Sequence, residues 1–331
     1  MKHTIVLTEP LPAAGMALLA ARPDVAVHTL PAPTQSALMQ SIALADGVVM
    51  VMETPLLDAA AIDRAPRLRV ACRMGAGYDN FDVAALTRRG IPLATTGTAN
   101  ADTVAEHALY LMLALAKRGP WLDRAVKHGT WPRGFGALEL RDRTCSIIGF
   151  GRIGQKIAPR AAAFAMRIVV FDPGVADAHI LDAGCVPAHS LSEALAQGDF
   201  IVIACGMSAS TRGLINATTL EHCKSTAFLI NIARGPIVEE RAVLAALAAG
   251  RLAGAGLDVL ETEPPSADNP LLMRDDVVLT PHTAAYIDTA FNRMAVACAR
   301  NVLAGVDGRL DLAVVVNAEA LAGNPSRFAR S

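Results

Sequence analysis

Aromatic residues make up only 4% of the 331 residues: two Trp, three Tyr and nine Phe. A site that recognises its ligand by stacking has few partners here, which disfavours a large aromatic substrate. An excess of either charge is lacking too. Thirty Lys and Arg stand against 31 Asp and Glu, a net charge of −1, so the chain has no electrostatic footprint for nucleic acid or an anionic membrane. The six cysteines (72, 145, 185, 205, 223, 298) include no CxxC pair. That argues against a zinc or disulfide framework, leaves no metal site to expect, and reads as reduced thiols in the cytoplasm. The longest apolar helix face, His107 to Ala116, is far too short to span a bilayer. The opening residues MKHTIVLTEPLP enter a strand directly, with no signal-peptide core.

What is plentiful is apolar sequence, 53% of residues, arranged in short runs separated by helical stretches. Strands are expected at residues 2–8, 25–30, 47–52, 68–73 and 92–94, with helices at 13–21, 34–45, 56–63 and 83–89. This alternation argues for a parallel α/β domain of about 95 residues. Residues 100–117 are the longest strongly helical stretch, with Thr98, Asn100 or Asp102 as cap, and read as a helix connecting two domains. Residues 119–140 carry both tryptophans and read as a loop-rich dimer-contact arm. A second series follows: strands at 145–148, 168–171, 200–204, 227–231, 253–257 and 277–279, with helices near 217–223 and 239–249. A helix over 287–304, a strand-like piece at 312–316 and a polar, fraying tail at 323–331 complete the expectation.

The second series opens with CSIIGFGRIGQKIAPRAAAFAMRIVVFD, Cys145 to Asp172. A strand, a glycine turn, a helix and a second strand ending on an acid form a βαβ unit with a dinucleotide fingerprint. Gly149 allows the tight turn, Gly151 lets the backbone approach a pyrophosphate, and Gly154 lets helix and strand pack closely. The helix's first amides and the positive end of its dipole face the phosphates. Asp172 is placed to accept both ribose hydroxyls of NAD and to repel the 2′-phosphate of NADP. Arg152, inside the turn, faces either solvent or the pyrophosphate.

Three side chains follow strands of the same series. Arg234 follows FLINIA, Glu263 lies with Asp258 in LDVLETEPP, and His282 follows VVLTP. Strand C-termini are where open α/β sheets place ligands. Arg, Glu and His together suit reduction of a 2-keto acid. Arg binds the carboxylate as a fork and polarises the adjacent carbonyl. His donates a proton to the developing alkoxide, and Glu orients the imidazole and raises its pKa. Taken singly, Arg234 also fits a surface ion pair, Glu263 a solvated loop and His282 a turn.

The sequence resembles the D-isomer-specific 2-hydroxyacid dehydrogenases, which include glyoxylate/hydroxypyruvate reductases and phosphoglycerate dehydrogenases. The stretches that carry the resemblance are GAGYDNFD (75–82), NADTVAEHALYLMLALAK (100–117), IGFGRIG (148–154), STRGLIN (210–216), INIARGPIVEE (230–240), GAGLDVLETEP (254–264) and LTPHTAA (279–285). The resemblance implies two doubly wound parallel-sheet domains. A Rossmann NAD domain, residues 99–285, would be inserted in a discontinuous flavodoxin-like substrate domain, 1–98 and 286–331, with a cleft between them. It implies Arg234, Glu263 and His282 as catalytic. Thr103, Arg152, Ile153, Asp172, Thr211, Ile232, Ala233 and Asp258 would join the glycine turn in holding the cofactor, Asp258 at the nicotinamide amide. The backbone of Gly75, Ala76 and Gly77 would hold the substrate carboxylate, and the protein would be a homodimer built through the NAD domain.

Two departures stand out. Family members often carry His-x-Pro after the strand that is Phe200–Ile203 here; this chain has Ala204-Cys205-Gly206, which loosens the expected preference for NAD over NADP. The formate-oxidising branch carries Gln where this chain has Glu263 and is set aside. No amino-acid-binding regulatory domain is read in the 331 residues, which weakens the expectation of a long, feedback-regulated phosphoglycerate dehydrogenase. Arg73, two residues before Gly75, is a candidate for meeting a second anionic group on the substrate, with a surface salt bridge as the alternative. Met52, Glu53 and Thr54 are candidates to line the same cleft. A small polar 2-keto acid is the favoured substrate. A binding protein of the same fold, an NAD-sensing corepressor, is the competing function.

Overall fold

The computed structural model describes residues 2–322. They divide into two compact units, one comprising the residues up to Asn100 together with those from Tyr286 on, the other Ala101–Ala285. The first unit holds strands β1 (His3–Leu7), β2 (Val25–Thr29), β3 (Gly47–Met50), β4 (Val70–Arg73) and β5 (Leu93–Ala94). All are parallel, in the order β2-β1-β3-β4-β5. Every residue of β3 and β4 is buried. That is why both read as unbroken apolar runs with no alternation: helices cover both faces of a parallel sheet. The helix Asp288–Val306 belongs to this sheet although it is far away in sequence. Its Gly305 lies so close to β4 that a Cβ there would stand 2.5 Å from a methyl of Val70.

The second unit opens with the helix Ala101–Ala116, whose Ala/Leu face, including Ala108, Leu111 and Leu115, is buried. Leu111 and Leu115 reach the strand that contains Gly256. The sheet has seven parallel strands: β6 (Thr144–Ile148), β7 (Arg167–Phe171), β8 (Val186–Pro187), β9 (Phe200–Ile203), β10 (Phe228–Asn231), β11 (Gly254–Leu257) and β12 (Val277–Leu279). Their order is β12-β11-β10-β9-β6-β7-β8. The winding reverses between β6 and β9, so their C-terminal ends open a crevice where a ligand can enter. Both units are thus parallel, doubly wound α/β sheets, as expected from the sequence.

Several local expectations are corrected. Residues 312–316 form no strand. The Asp311 carboxylate caps the amide of Ala313 at 2.9 Å and winds Leu312–Val314 into a 3-10 turn, leaving a single antiparallel bridge between Val315 and Ala94. The helix expected from residue 56 starts at Ala59, because Asp58 caps it and Leu57 is drawn into a bridge with Phe81. Residues 119–140 are not loop throughout. Gly119–Lys127 is a helix with Pro120 in its first turn and no buried residue; beyond it, Trp131 is 76% exposed. Strand β8 and its flanking helices, Asp177–Asp182 and Leu191–Gln197, are absent from the sequence reading, since a two-residue strand carries no periodicity. The tail at 323–331 lies outside the described residues. Among the described residues no helix is long and apolar enough to cross a membrane.

Candidate active site

The glycine turn follows β6. Gly149 has φ +102°, and a Cβ there would lie 2.5 Å from the amide nitrogen of Cys205. A Cβ on Gly154 would lie 2.2 Å from the Gly149 carbonyl oxygen. The chain's own backbone therefore forbids a side chain at both. Gly151 differs: nothing stands within 4 Å of where its Cβ would be, so the room there is left for something outside the chain. The Asp172 carboxylate sits at the end of β7 and accepts the amides of Phe150 at 2.7 Å and Gly174 at 2.9 Å. Each oxygen keeps a lone pair for a further donor.

These groups border a cavity of 450 Å³ shared by Gly149, Gly151, Asp172, Cys205 and Thr211. It lies where the sheet reverses, and its open glycine and fixed acid fit the ribose and phosphate of a dinucleotide. The Thr211 hydroxyl takes the Ser208 amide at 2.7 Å and donates to the Gly206 carbonyl at 2.8 Å, so it closes the loop along the rim. The Ala204-Cys205-Gly206 departure presses on the turn through its backbone. Burial pushes the Cys205 thiol up to about 11, so it is neutral at neutral pH. Of the other residues expected at the cofactor, Arg152 is exposed, Ile153 and Ala233 are half-buried, and Thr103 and Ile232 are buried.

The second cluster is built on the ends of β10, β11 and β12. The Asn231 side chain accepts the Ala233 amide at 3.1 Å and donates to the Arg234 carbonyl at 3.0 Å, which turns the chain so that Arg234 leaves the strand end half-exposed. Gly235 then passes under the loop after β11; a Cβ on it would stand 1.8 Å from the Leu260 carbonyl oxygen. Glu263 closes that same loop, accepting the Leu260 amide on one oxygen at 2.9 Å. Its other oxygen meets Nδ1 of His282 at 2.8 Å.

Burial pushes the Glu263 carboxyl up, but the His282 hydrogen bond, the Leu260 amide and the charges of His282 and Arg234 outweigh it, and its pKa falls below the ordinary glutamate value. An ionised carboxylate only accepts. Nδ1 of His282 therefore carries a hydrogen in this contact.

His282 sits at φ +53°, a left-handed conformation rare for a side chain of this size. Its amide donates to the Asp258 carbonyl at 2.7 Å, and the Asp258 carboxylate, 2% exposed, holds the rest of the turn. It accepts from the Thr280 hydroxyl at 2.6 Å, the Thr283 amide at 2.9 Å and the Ala284 amide at 3.0 Å. His107 reaches the Thr280 hydroxyl at 2.9 Å from the helix Ala101–Ala116. Burial raises the Asp258 pKa, but the hydrogen bonds from His107, Thr280, Thr283 and Ala284 outweigh it, so the net shift is downward. Its carboxylate is thus engaged within the chain, and a nicotinamide amide there would share an oxygen with the turn. His107, Thr280, Asn231 and Gly235 escape the sequence reading as site-builders. The one available signal was His107, a lone polar ring on an otherwise apolar helix face.

In the first unit, Gly75 is buried and Ala76 and Gly77 half-buried. Among the described residues, no acceptor takes any of their three successive amides, the arrangement that receives a carboxylate oxygen. Arg73 is 6% exposed and pairs with the carboxylate of Glu53, whose side chain is 45% exposed, so the expected salt bridge is present with its cation buried. It is buried beneath this loop and engaged by its own chain.

Residues 109–284 match the model of the D-isomer specific 2-hydroxyacid dehydrogenase NAD-binding domain. The chain is 41% identical over 238 residues to a D-3-phosphoglycerate dehydrogenase of Archaeoglobus fulgidus, covering 72% of this chain and 45% of the other. It is 35% identical to a glyoxylate reductase of Pyrococcus furiosus over 94% of both chains. A D-lactate dehydrogenase from Aquifex aeolicus, solved with NAD and lactic acid, superposes with a TM-score of 0.83 at 26% identity, covering 97% of this chain and 98% of that one. The chain spans about half the length of the phosphoglycerate dehydrogenases it matches.

Asp258→Asn is predicted to cost about 3 kcal/mol or more, since three donors lose a charged acceptor. The sign with pH is fixed by the lowered pKa. The carboxylate's contribution is fully present above its ordinary value of 3.8 and is lost as pH falls through the lower folded value. Denaturant titrations of both proteins should therefore show a gap that narrows on acidification below 3.8; a gap that stays constant contradicts the assignment.

Proposed function

The chain belongs to the D-isomer-specific 2-hydroxyacid dehydrogenases, and on that premise we propose that it interconverts a small 2-keto acid and its D-2-hydroxy acid with NAD(H). Bound nicotinamide supplies or takes the hydride. The chain's own groups do the rest. Arg234 forks the substrate carboxylate and polarises the neighbouring carbonyl. His282 gives the proton on Nε2 to the oxygen as negative charge develops there, and takes it back in the reverse direction. Glu263 keeps Nδ1 protonated and favours the charged ring, so the proton is in place before reduction begins. The amides of Gly75, Ala76 and Gly77 receive a substrate carboxylate oxygen. The observation that carries the reading is the 2.8 Å contact of His282 Nδ1 with Glu263, with Arg234 close enough for its charge to be felt at that carboxylate.

Asp172 supports NAD over NADP: a 2′-phosphate would meet a carboxylate already fixed by two amides. The glycine turn with Arg152, Ile153, Ile232, Ala233, Thr103, Thr211 and Asp258 is our assignment for the rest of the cofactor site. Self-association through the second unit is supported by Trp131, 76% exposed, and by the helix Gly119–Lys127, which buries none of its own residues. Sedimentation of the full chain as a monomer would remove that part of the reading. Six cysteines without a disulfide suit the reducing cytoplasm.

The test is loss of NADH absorbance with glyoxylate, hydroxypyruvate, pyruvate, 2-ketobutyrate and phosphohydroxypyruvate. Turnover of at least one is expected, slower with NADPH, and Asp172→Ala should narrow that cofactor preference. His282→Ala should lower kcat by roughly 10²–10⁴-fold, the usual size of an acid/base contribution. Tight NADH binding with no turnover of any keto acid would contradict the enzyme and favour a cofactor-sensing scaffold.

A further inference from the structure

The carboxylate-binding loop of the first unit has a charged pair behind it. Arg73 ends β4 and lies opposite Met50 of β3; Glu53 lies three residues beyond Met50. The Arg73 guanidinium is directed back into its own chain. Nε donates to the Gly77 carbonyl at 3.0 Å, Nη1 to the carbonyls of Val51 and Met50, and Nη2 to Oε1 of Glu53. A Cβ on Gly75 would stand 3.6 Å from the guanidinium carbon, so the cation lies directly beneath the loop. The Arg73 side chain is 7% exposed and that of Glu53 45%, so the acid, not the base, faces solvent. A second acid is near. The Tyr286 phenol, whose hydroxyl touches the Met52 sulfur at 3.1 Å, has its pKa raised by burial first and then by Glu53 and Glu9, against Arg73.

We propose that Glu53 is the specificity-determining residue of this loop: by occupying Arg73 it confines the enzyme to 2-keto acids whose remaining substituent is uncharged. This rests on the reaction proposed above and names its substrate class. A phosphate or second carboxylate on the substrate would have to displace Glu53 from Arg73, or desolvate beside a carboxylate whose charge Arg73 already balances. A hydrogen, methyl or hydroxymethyl group meets neither obstacle. Without the Glu53 carboxylate the negative charge beside the loop is gone while the charge of Arg73 stays, and the same loop would accept the second charge. One side chain therefore separates a site for monoanions from a site for phosphorylated acids. The identity to relatives named phosphoglycerate dehydrogenase does not extend to substrate choice.

The experiment compares kcat/KM for hydroxypyruvate and phosphohydroxypyruvate, with NADH, in wild-type protein, Glu53→Gln and Glu53→Asp. Wild type should prefer the unphosphorylated acid by about 10²-fold, as like-charge juxtaposition implies. Glu53→Gln should raise the phosphorylated-to-unphosphorylated ratio about tenfold or more, the worth of one hydrogen bond to a charged group. Glu53→Asp keeps the charge and should retain the wild-type preference, which a merely structural role for Glu53 would not produce. Equal use of both acids by wild type, or an unchanged ratio in Glu53→Gln, overturns the proposal. If Glu53→Gln does not fold, the wild-type and Glu53→Asp ratios decide. Absence of turnover with either acid in wild type overturns the reaction itself, and the Glu53 assignment falls with it.

Discussion

A carboxylate shut away from solvent must be satisfied by protein, and Asp258 organises the candidate active site by that requirement. At 2% exposure it needs donors, and it collects the Thr280 hydroxyl with the amides of Thr283 and Ala284. Those donors are the turn that carries His282. The left-handed backbone of His282 persists because this turn and the Asp258 carbonyl over-determine it. Glu263 then finds the ring at 2.8 Å. Thus one carboxylate shapes the backbone and the other holds Nδ1 of the imidazole, and the two lie on a single loop after β11.

The same economy operates elsewhere in the chain. At the glycine turn, Asp172 is fixed by the Phe150 and Gly174 amides, so the acid at the end of β7 also closes the turn after β6. Under Gly75–Gly77, Arg73 holds the loop's carbonyl at Gly77 while Glu53 cancels its charge. In each case a charged side chain is held by backbone groups of the loop it lies beside. Pre-organisation of this kind lowers the cost of ordering when a ligand arrives.

The strand–helix alternation was legible because parallel strands buried on both faces read as continuous apolar runs; β3, GVVM, and β10, FLIN, are the clearest. The glycine turn, Arg234, Glu263 and His282 were legible because ligand chemistry collects at strand ends. What escaped was decided by long-range contact. Gly235 looks like any loop glycine until the Leu260 carbonyl lies against it, and His107 acts through Thr280 across 173 positions of sequence. Strand β8 is too short to show a period, and residues 312–316 were misread because a single Asp311 cap outweighed their β-branched composition. The Arg73–Glu53 pair was half visible: both residues were candidates, but only the fold shows that one neutralises the other.

The central claim is that Glu263 keeps the His282 ring protonated for the reduction. It is tested most directly by the pH dependence of kcat/KM for NADH-dependent hydroxypyruvate reduction in wild-type protein and in Glu263→Gln. Reduction needs the charged ring, so activity should fall as pH rises through the imidazole pKa. Removing the carboxylate's charge should move that falling limb to lower pH by about one unit or more, the usual effect of an opposite charge at hydrogen-bond distance. Superimposable limbs in the two proteins would contradict the account, because the 2.8 Å contact would then orient the ring without setting its charge.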